Sequence, residues 1–427
     1  MVSFRQMPKT SHPSDCRSSI IRSTYNSIPP LPSERHSCST LFAIVFPTQP
    51  RTVKQSIQSL VVYRLLLTGP KIMAQKLLVV RNDKIGDFML AWPALACLKQ
   101  ASPAPHVTVL VPAYTAPLAN ACPWVDEVII DPGSQADKAA QQALLFHVKQ
   151  SKFDALLTLF STPRIGWLGM KAGIPLRVAP ATKWAQVFYN VRVRQRRSQS
   201  AKPEYQYNVD LACELLARLS LTLSTLPSPP FWPMDFAQRY EQRQTLVNDA
   251  SERVVVVHPG SGGSAVNLSV AQYAALITQV HQQCQHLPLR WLISAGPSEQ
   301  PQAQELREQL ATNGVVADHF PDTAGVDDFA LQLGGADMLI AGSTGPLHIA
   351  GCLDIATAGV YPAKRSATPL RWQTCNRAEK RLAFSPPSGA DTQDMTAIDL
   401  DAAAHQISAL LLGGLRTNPE IRVLSEG

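Results

Sequence analysis

An alternation that runs twice constrains this chain more than any other feature. Apolar runs of strand length occur at 77–81, 106–111, 126–130, 153–159 and 175–179, with helix-period segments at 88–100, 138–150, 163–172 and 208–219. A strand that is apolar at nearly every position is buried on both faces, and helical crossovers between such strands make the sheet parallel. The pattern resumes with strands at 253–258, 289–294, 337–341 and 355–361, and helices at 270–284, 298–311, 326–334 and 345–352. An amphipathic tail at 395–413 reads as a last helix. Between the halves, residues 226–233 carry four prolines in eight positions, which excludes helix or central strand and marks a connection. The expectation is an α/β protein with two Rossmann-like domains, 74–225 and 251–427, facing across a cleft and joined by a linker and connecting helix at 226–250.

The formal charge of +7 could suggest a nucleic-acid partner, but its location argues otherwise. Residues 1–73 hold nine Lys/Arg against Asp15 and Glu34, so the rest of the chain has 30 of each sign. The body is neutral, and the global basicity carries no information about its partners. Residues 1–73 are rich in Ser, Pro and Arg and lack sustained periodicity. They read as a disordered arm, a transit-like leader, or residues preceding a true start at Met73, the last being the reading favoured here. The eight cysteines contain no C-x-x-C pair, and those past residue 90 mostly sit in apolar, helix-like surroundings. That suits buried thiols of a reduced compartment, hence a cytoplasmic protein. No run reaches the roughly 18 apolar residues of a membrane-spanning helix, which leaves contact with a membrane surface open.

Ligands of open α/β sheets bind beyond the carboxyl ends of the strands. Four loops there carry chemistry. Residues 81–87 (Arg-Asn-Asp-Lys-Ile-Gly-Asp) place Asp87 at a helix start, where it either caps the helix or serves as a general base; Asp83 is the fallback. Residues 258–264 (His-Pro-Gly-Ser-Gly-Gly-Ser) form a phosphate-cradle pattern, because glycines let backbone N–H groups approach an anion and the hydroxyls add donors. It matches neither the P-loop nor the dinucleotide fingerprint. Residues 294–299 end in Glu299, which either accepts ribose hydroxyls or simply favours the helix dipole. Residues 341–348 repeat the strand, Gly-rich turn and helix, with Pro346 in the first turn, Thr344 and Gly345 as anion donors, and His348 a phosphate ligand or a structural histidine. Two cradles and an acidic residue in one half, with a carboxylate turn in the other, describe a nucleotide-sugar site between two domains.

Residues 81–87, 258–267, 296–299 and 342–348, in this order and spacing, resemble the family 9 glycosyltransferases, which include the ADP-heptose:lipopolysaccharide heptosyltransferases; the likeness covers roughly residues 74–410. The resemblance implies a GT-B fold and inverting transfer with no catalytic metal and no cofactor beyond the nucleotide-sugar co-substrate, ADP-heptose in the leading reading. It implies Asp87 as the base that deprotonates the acceptor hydroxyl. Ser261, Gly262, Gly263, Ser264 and Asn267 would line the donor site, Glu299 would hold its ribose, and Thr344, Gly345, Pro346 and His348 its diphosphate. One departure stands out. Family members often carry Lys or Arg, then an aromatic, where this chain has Val266 and Leu268. Lys364 and Arg365 are candidate substitutes for that cation, or else a solvated loop.

The run Arg192, Arg194, Arg196 and Arg197 is the one dense basic stretch in the body. With Lys84 it is a candidate contact for an anionic glycolipid acceptor such as a lipopolysaccharide core, or for the inner surface of a membrane, and otherwise a solvated loop. Tyr205 and Tyr207 follow without the aromatic interleaving of a nucleic-acid binder. The competing readings are a non-catalytic nucleotide- or carbohydrate-binding protein and a two-Rossmann sugar-nucleotide epimerase. A carboxylate at position 87 is superfluous in the first, and the second needs acid/base residues that the sequence does not place.

Overall fold

The computed structural model describes residues 74–182, 184–263, 266–387 and 394–414. The expected leader, 1–73, and Ser264 lie outside the described residues. Among the described residues, twelve strands form two parallel six-stranded sheets. The first contains β1 (Lys76–Val80), β2 (His106–Pro112), β3 (Glu127–Asp131), β4 (Ala155–Thr158), β5 (Leu176–Pro180) and β6 (Val191–Val193) in the order β3-β2-β1-β4-β5-β6. The second contains β7 (Arg253–His258), β8 (Leu289–Ile293), β9 (Ala317–His319), β10 (Met338–Gly342), β11 (Ala356–Val360) and β12 (Arg381–Phe384) in the order β12-β11-β10-β7-β8-β9. Each sheet therefore has its first strand beside its fourth, the doubly wound order that leaves a crevice where the winding reverses.

The apolar runs explain the register. Leu77 pairs with Val107 on one side and Ala155 on the other, and Val255 with Trp291 and Met338, so the central strands are buried on both faces. β6, β9 and β12 carry Arg192, Asp318 and Arg381, and β6 and β9 have only three residues each. Their polarity suits half-exposed strands at or near sheet edges, and it hides them from a search for apolar runs. The helix expected over 88–100 is two helices, Ile85–Met89 and Trp92–Lys99, which starts the first of them before Asp87 rather than at it.

The Pro-rich stretch is not a loose linker. Phe231 and Trp232 are buried, and both donate their backbone N–H to the carbonyl of Cys352, at 3.0 and 2.8 Å. The Trp232 ring lies 4.8 Å from that of Trp92, and Trp124 Nε1 donates to the Phe231 carbonyl at 2.6 Å. A helix, Phe236–Gln244, follows behind a capping box of Asp235 and Gln238. Its Arg239 and Arg243 reach the Leu353 carbonyl and the Asp337 carboxylate of the second half. One apolar cluster runs from Trp92 and Leu211 through Trp232 to Leu339 and Ile349, so the two halves share a core. Trp232→Ala is therefore expected to cost about 3–5 kcal/mol, as large aromatic truncations in cores do, read as a lower midpoint of urea unfolding in a single transition rather than as uncoupling of the halves.

Candidate active site

The carboxyl ends of β1, β7, β8 and β10 open onto a cavity of about 1300 Å³. The first half supplies Lys84, Ile85, Gly86 and Asp87 after β1, with Tyr114 and Pro117 after β2. The second half supplies Ser261 and Gly262 after β7, Ser294 and Glu299 after β8, and Thr344, Gly345, Pro346 and His348 after β10. Residues far apart in sequence, Lys84 and His348 among them, thus share one space because both windings reverse at it.

Arg81, at the end of β1, organises the first wall. It is buried, and its guanidinium donates to Asp83 at 2.8 Å, to Asp87, and to the buried Glu204 at 3.2 Å. Burial alone would disfavour its charge, but the carboxylates of Asp83, Asp87 and Glu204 outweigh that and hold the group well above its ordinary value. Asp87 sits in the first turn of the helix Ile85–Met89, whose N-terminal residue Lys84 has no side-chain cap. The carboxylate is spent on Arg81 rather than on backbone N–H groups, which corrects the capping alternative. Asp83 does not line the cavity, whereas Asp87 does. Burial raises the Asp83 carboxyl to about 6, Arg81 opposing and Asp87 adding to the rise.

The second wall is made of backbone donors and one braced carboxylate. Gly262 and Gly263 have φ of 52° and 68°, the left-handed region that only glycine adopts without strain. This turn brings the Gly262 N–H to Glu299 Oε1 at 2.6 Å, while Oε2 accepts from Gly296 N at 2.8 Å and lies 3.2 Å from His258 Nε2. His258 first, with the two backbone donors, lowers the Glu299 carboxyl to about 2. The side chain makes no capping bond on the helix Gln300–Thr312. It ties two loops together, and with about two acceptor sites per oxygen Oε1 retains one for a hydroxyl. Asn267, expected in the donor site, is not in the cavity wall; its Nδ2 donates to the Pro259 carbonyl at 2.8 Å and its Oδ1 accepts from Tyr273 at 2.8 Å. It braces the glycine turn from behind. Gly263 is also outside the wall, while Ser261 is in it.

His348 is 3% exposed, and its ring lies so close to Gly86 that a Cβ there would meet Cδ2 at 2.7 Å. This glycine is needed for close approach of the halves. Burial lowers the imidazole to about 4, and Nδ1 has no hydrogen-bond partner among the described residues. A neutral ring at a cavity wall offers a ligand a single N–H or lone pair, not a charge.

Among the described lining residues, Lys84 and Lys364 are the only Lys or Arg, both exposed and unpaired. Val266 lines the cavity, and Leu268 is buried behind it. Arg365 stays outside, its carbonyl accepting from Ser200. The basic run divides. Arg192, Arg194 and Arg196 are exposed and away from the cavity, whereas Arg197 turns inward to Glu204 at 2.6 Å, which corrects its reading as part of a solvent-facing contact. Burial lowers Arg197 to about 10, Glu204 opposing. Glu204 also pairs with Arg371 of the second half. Sequence reasoning missed Glu204, Arg371, Tyr114 and the wall from His319 to Val326. The first pair has no local signal, being 167 positions apart, and the last follows the unrecognised strand β9.

The fold is the GT-B arrangement. It is similar to E. coli ADP-heptose lps heptosyltransferase II (TM-score 0.60, 16% identity, covering 79% of this chain and 99% of that one) and to E. coli heptosyltransferase WaaC with ADP (0.60, 18%, 78% and 99%). A family 9 glycosyl transferase from Veillonella parvula DSM 2008 is also similar (0.58, 15%, 73% and 86%). Residues 142–387 match the family model for glycosyltransferase family 9 (heptosyltransferase). A Haemophilus influenzae protein named "Putative glycosyltransferase" is 41% identical over 352 residues, 81% of this chain and all of the relative. The chain belongs to glycosyltransferase family 9.

The buried histidine makes a pH prediction. Its folded value lies below the unfolded one, so its stabilising contribution is complete above about 6.5 and is lost as pH falls through 4, a total of about 3 kcal/mol. His348→Asn is expected to flatten the pH dependence of the unfolding free energy between 6.5 and 4; an unchanged slope would place the acid sensitivity elsewhere.

Proposed function

We propose that this glycosyltransferase moves a heptose, or a related sugar, from a nucleotide-sugar donor such as ADP-heptose to a hydroxyl of a lipopolysaccharide-core-type acceptor at the cytoplasmic side of the membrane, with inversion. The observation that carries the reading is the division of one cavity: a carboxylate, Asp87, on the first wall, and Glu299 with the N-terminus of the helix Gly345–Cys352 on the second. The solved relatives named for ADP and for heptosyl transfer support the donor class.

A sugar hydroxyl is a poor nucleophile at neutral pH, so displacement needs a base on the face opposite the leaving diphosphate. In this reading Asp87 takes the hydroxyl proton while the acceptor oxygen bonds to the anomeric carbon and the bond to the diphosphate breaks. The Arg81 ion pair fixes the direction of the Asp87 carboxylate. The N-terminus of the helix Gly345–Cys352, with Thr344 and His348, faces the charge that grows on the departing diphosphate. Glu299 accepts a ribose hydroxyl at the free site on Oε1. We propose no catalytic metal, so turnover should survive EDTA.

A panel of nucleotide sugars, followed by nucleoside diphosphate release with and without core acceptor, tests the function directly; release dependent on acceptor is expected. Asp87→Asn should lower turnover by about 10²-fold or more and leave donor binding intact, since Arg81 keeps Asp83 and Glu204 as partners. Near-normal turnover per folded molecule would remove Asp87 from the chemistry. Val266→Lys, which puts a cation on the cavity wall, should tighten nucleoside diphosphate binding by on the order of 1 kcal/mol at low salt and less at high salt. An unchanged affinity would move the diphosphate away from this loop.

A further inference from the structure

The neutral balance of the body conceals a local excess. Residues 155–203 contain nine Lys/Arg and no Asp or Glu. Several of the nine are used internally: Arg164 pairs with Asp131, Arg197 with Glu204 and Lys202 with Asp210, and Arg177 donates to the carbonyls of Phe188 and Ile174. Lys171, Arg192, Arg194 and Arg196 are exposed and have no carboxylate partner among the described residues.

The same segment exposes its large apolar side chains. The helix Pro163–Lys171 buries Ile165 and Leu168 and turns Trp167 and Met170 outward, 43% and 42% exposed. It packs closely on the turn Trp184–Phe188, where a Cβ on Gly166 would meet the Phe188 Cβ at 2.7 Å. That turn exposes Trp184 and Val187, 64% and 63%, and leads directly into the edge strand β6 with Arg192. Arg192 in turn donates Nε to the Tyr189 carbonyl, and Lys171 lies 5.9 Å from the Trp167 ring. Exposed apolar side chains clustered at one sheet edge are costly in a chain that meets only water, and such patches mark interaction surfaces.

We propose that this edge of the first sheet docks the protein on an anionic lipid bilayer, with Trp167, Met170, Trp184 and Val187 entering the headgroup region and Lys171, Arg192, Arg194 and Arg196 meeting lipid phosphates. Charge complementarity selects an anionic surface, and tryptophan beside aliphatic side chains selects a bilayer. A nucleic acid would use the arginines and stack on the rings but has no use for exposed Val187 and Met170. The inference rests on the surface alone and does not depend on which sugar or acceptor the cavity takes.

The test uses the full chain with phosphatidylcholine vesicles, with and without phosphatidylglycerol, and measures cosedimentation at low and high salt. Binding only to the anionic vesicles, weakening with salt, is expected. Each basic residue near such a surface contributes roughly fivefold, so Arg192→Gln/Arg194→Gln/Arg196→Gln should lower partitioning on the order of 100-fold. Trp184→Ser/Val187→Ser should lower it roughly 10-fold or more. Thermal unfolding of each variant, unchanged because the side chains are exposed, reports an intact fold. Parental binding in both variants would overturn the proposal by placing the contact elsewhere in the chain. So would RNA binding lost with the arginines alongside indifference to Trp184→Ser/Val187→Ser, which would mark a generic polyanion surface.

Discussion

A buried arginine is tolerated only when fixed carboxylates surround it, because removing a guanidinium from water costs several kcal/mol. Arg81 meets that condition with Asp83 and Asp87 from its own loop and Glu204 from a helix over a hundred residues away. The loop after β1 therefore has little freedom, since moving either aspartate would leave a buried charge short of a partner. The consequence reaches the second half. Glu204 also holds Arg197 and Arg371, and Arg371 donates to the Arg197 carbonyl at 2.7 Å. A chain of charge-assisted bonds thus runs from the carboxylate at the cavity to the far side of the cleft.

Two close approaches complete that coupling. Gly86 leaves room for the His348 ring, and a Cβ on Gly345 would come within 3.1 Å of Ile85. The halves meet where their loops face the cavity, and again behind it through Trp92, Trp232 and the Cys352 carbonyl. Proline in the connection restricts the backbone, but the packing of Phe231 and Trp232 makes the segment part of the core. Any rearrangement between the halves has to keep or exchange both sets of contacts, so motion of one half carries the acidic loop with it.

Much of this architecture was legible because burial on both faces writes itself into sequence as continuous apolar runs. β1, β2, β7, β8, β10 and β11 were recognisable for that reason, and with them the loops that begin at their ends. The edge strands β6, β9 and β12 lack that signature, so the wall from His319 onward was invisible. Glycine patterns pointed to the turns at 262 and 345, yet could not distinguish a residue that faces the ligand space from one that braces it, as Asn267 does. Long-range ion pairs leave no periodic trace. Arg197 looked like the rest of a surface run, and only the position of Glu204 turns it inward.

The composition of the cavity also bears on how a diphosphate would be held. With Val266 rather than a cation on its surface, the second wall offers neutral donors: the positive end of a helix, a hydroxyl and an uncharged imidazole. Such donors respond to where charge accumulates. A diphosphate still bonded to sugar carries less charge on its bridging oxygen than one that is leaving, so donors aimed there interact more strongly as the bond breaks. A lysine at that position would attract both states through its full charge and discriminate less between them. Lys84 and Lys364, exposed at the rim, can contribute to capture without fixing the leaving oxygen. Under the proposed reaction, therefore, the apolar residue at 266 shifts the burden from ground-state attraction toward stabilisation of the charge that develops during transfer.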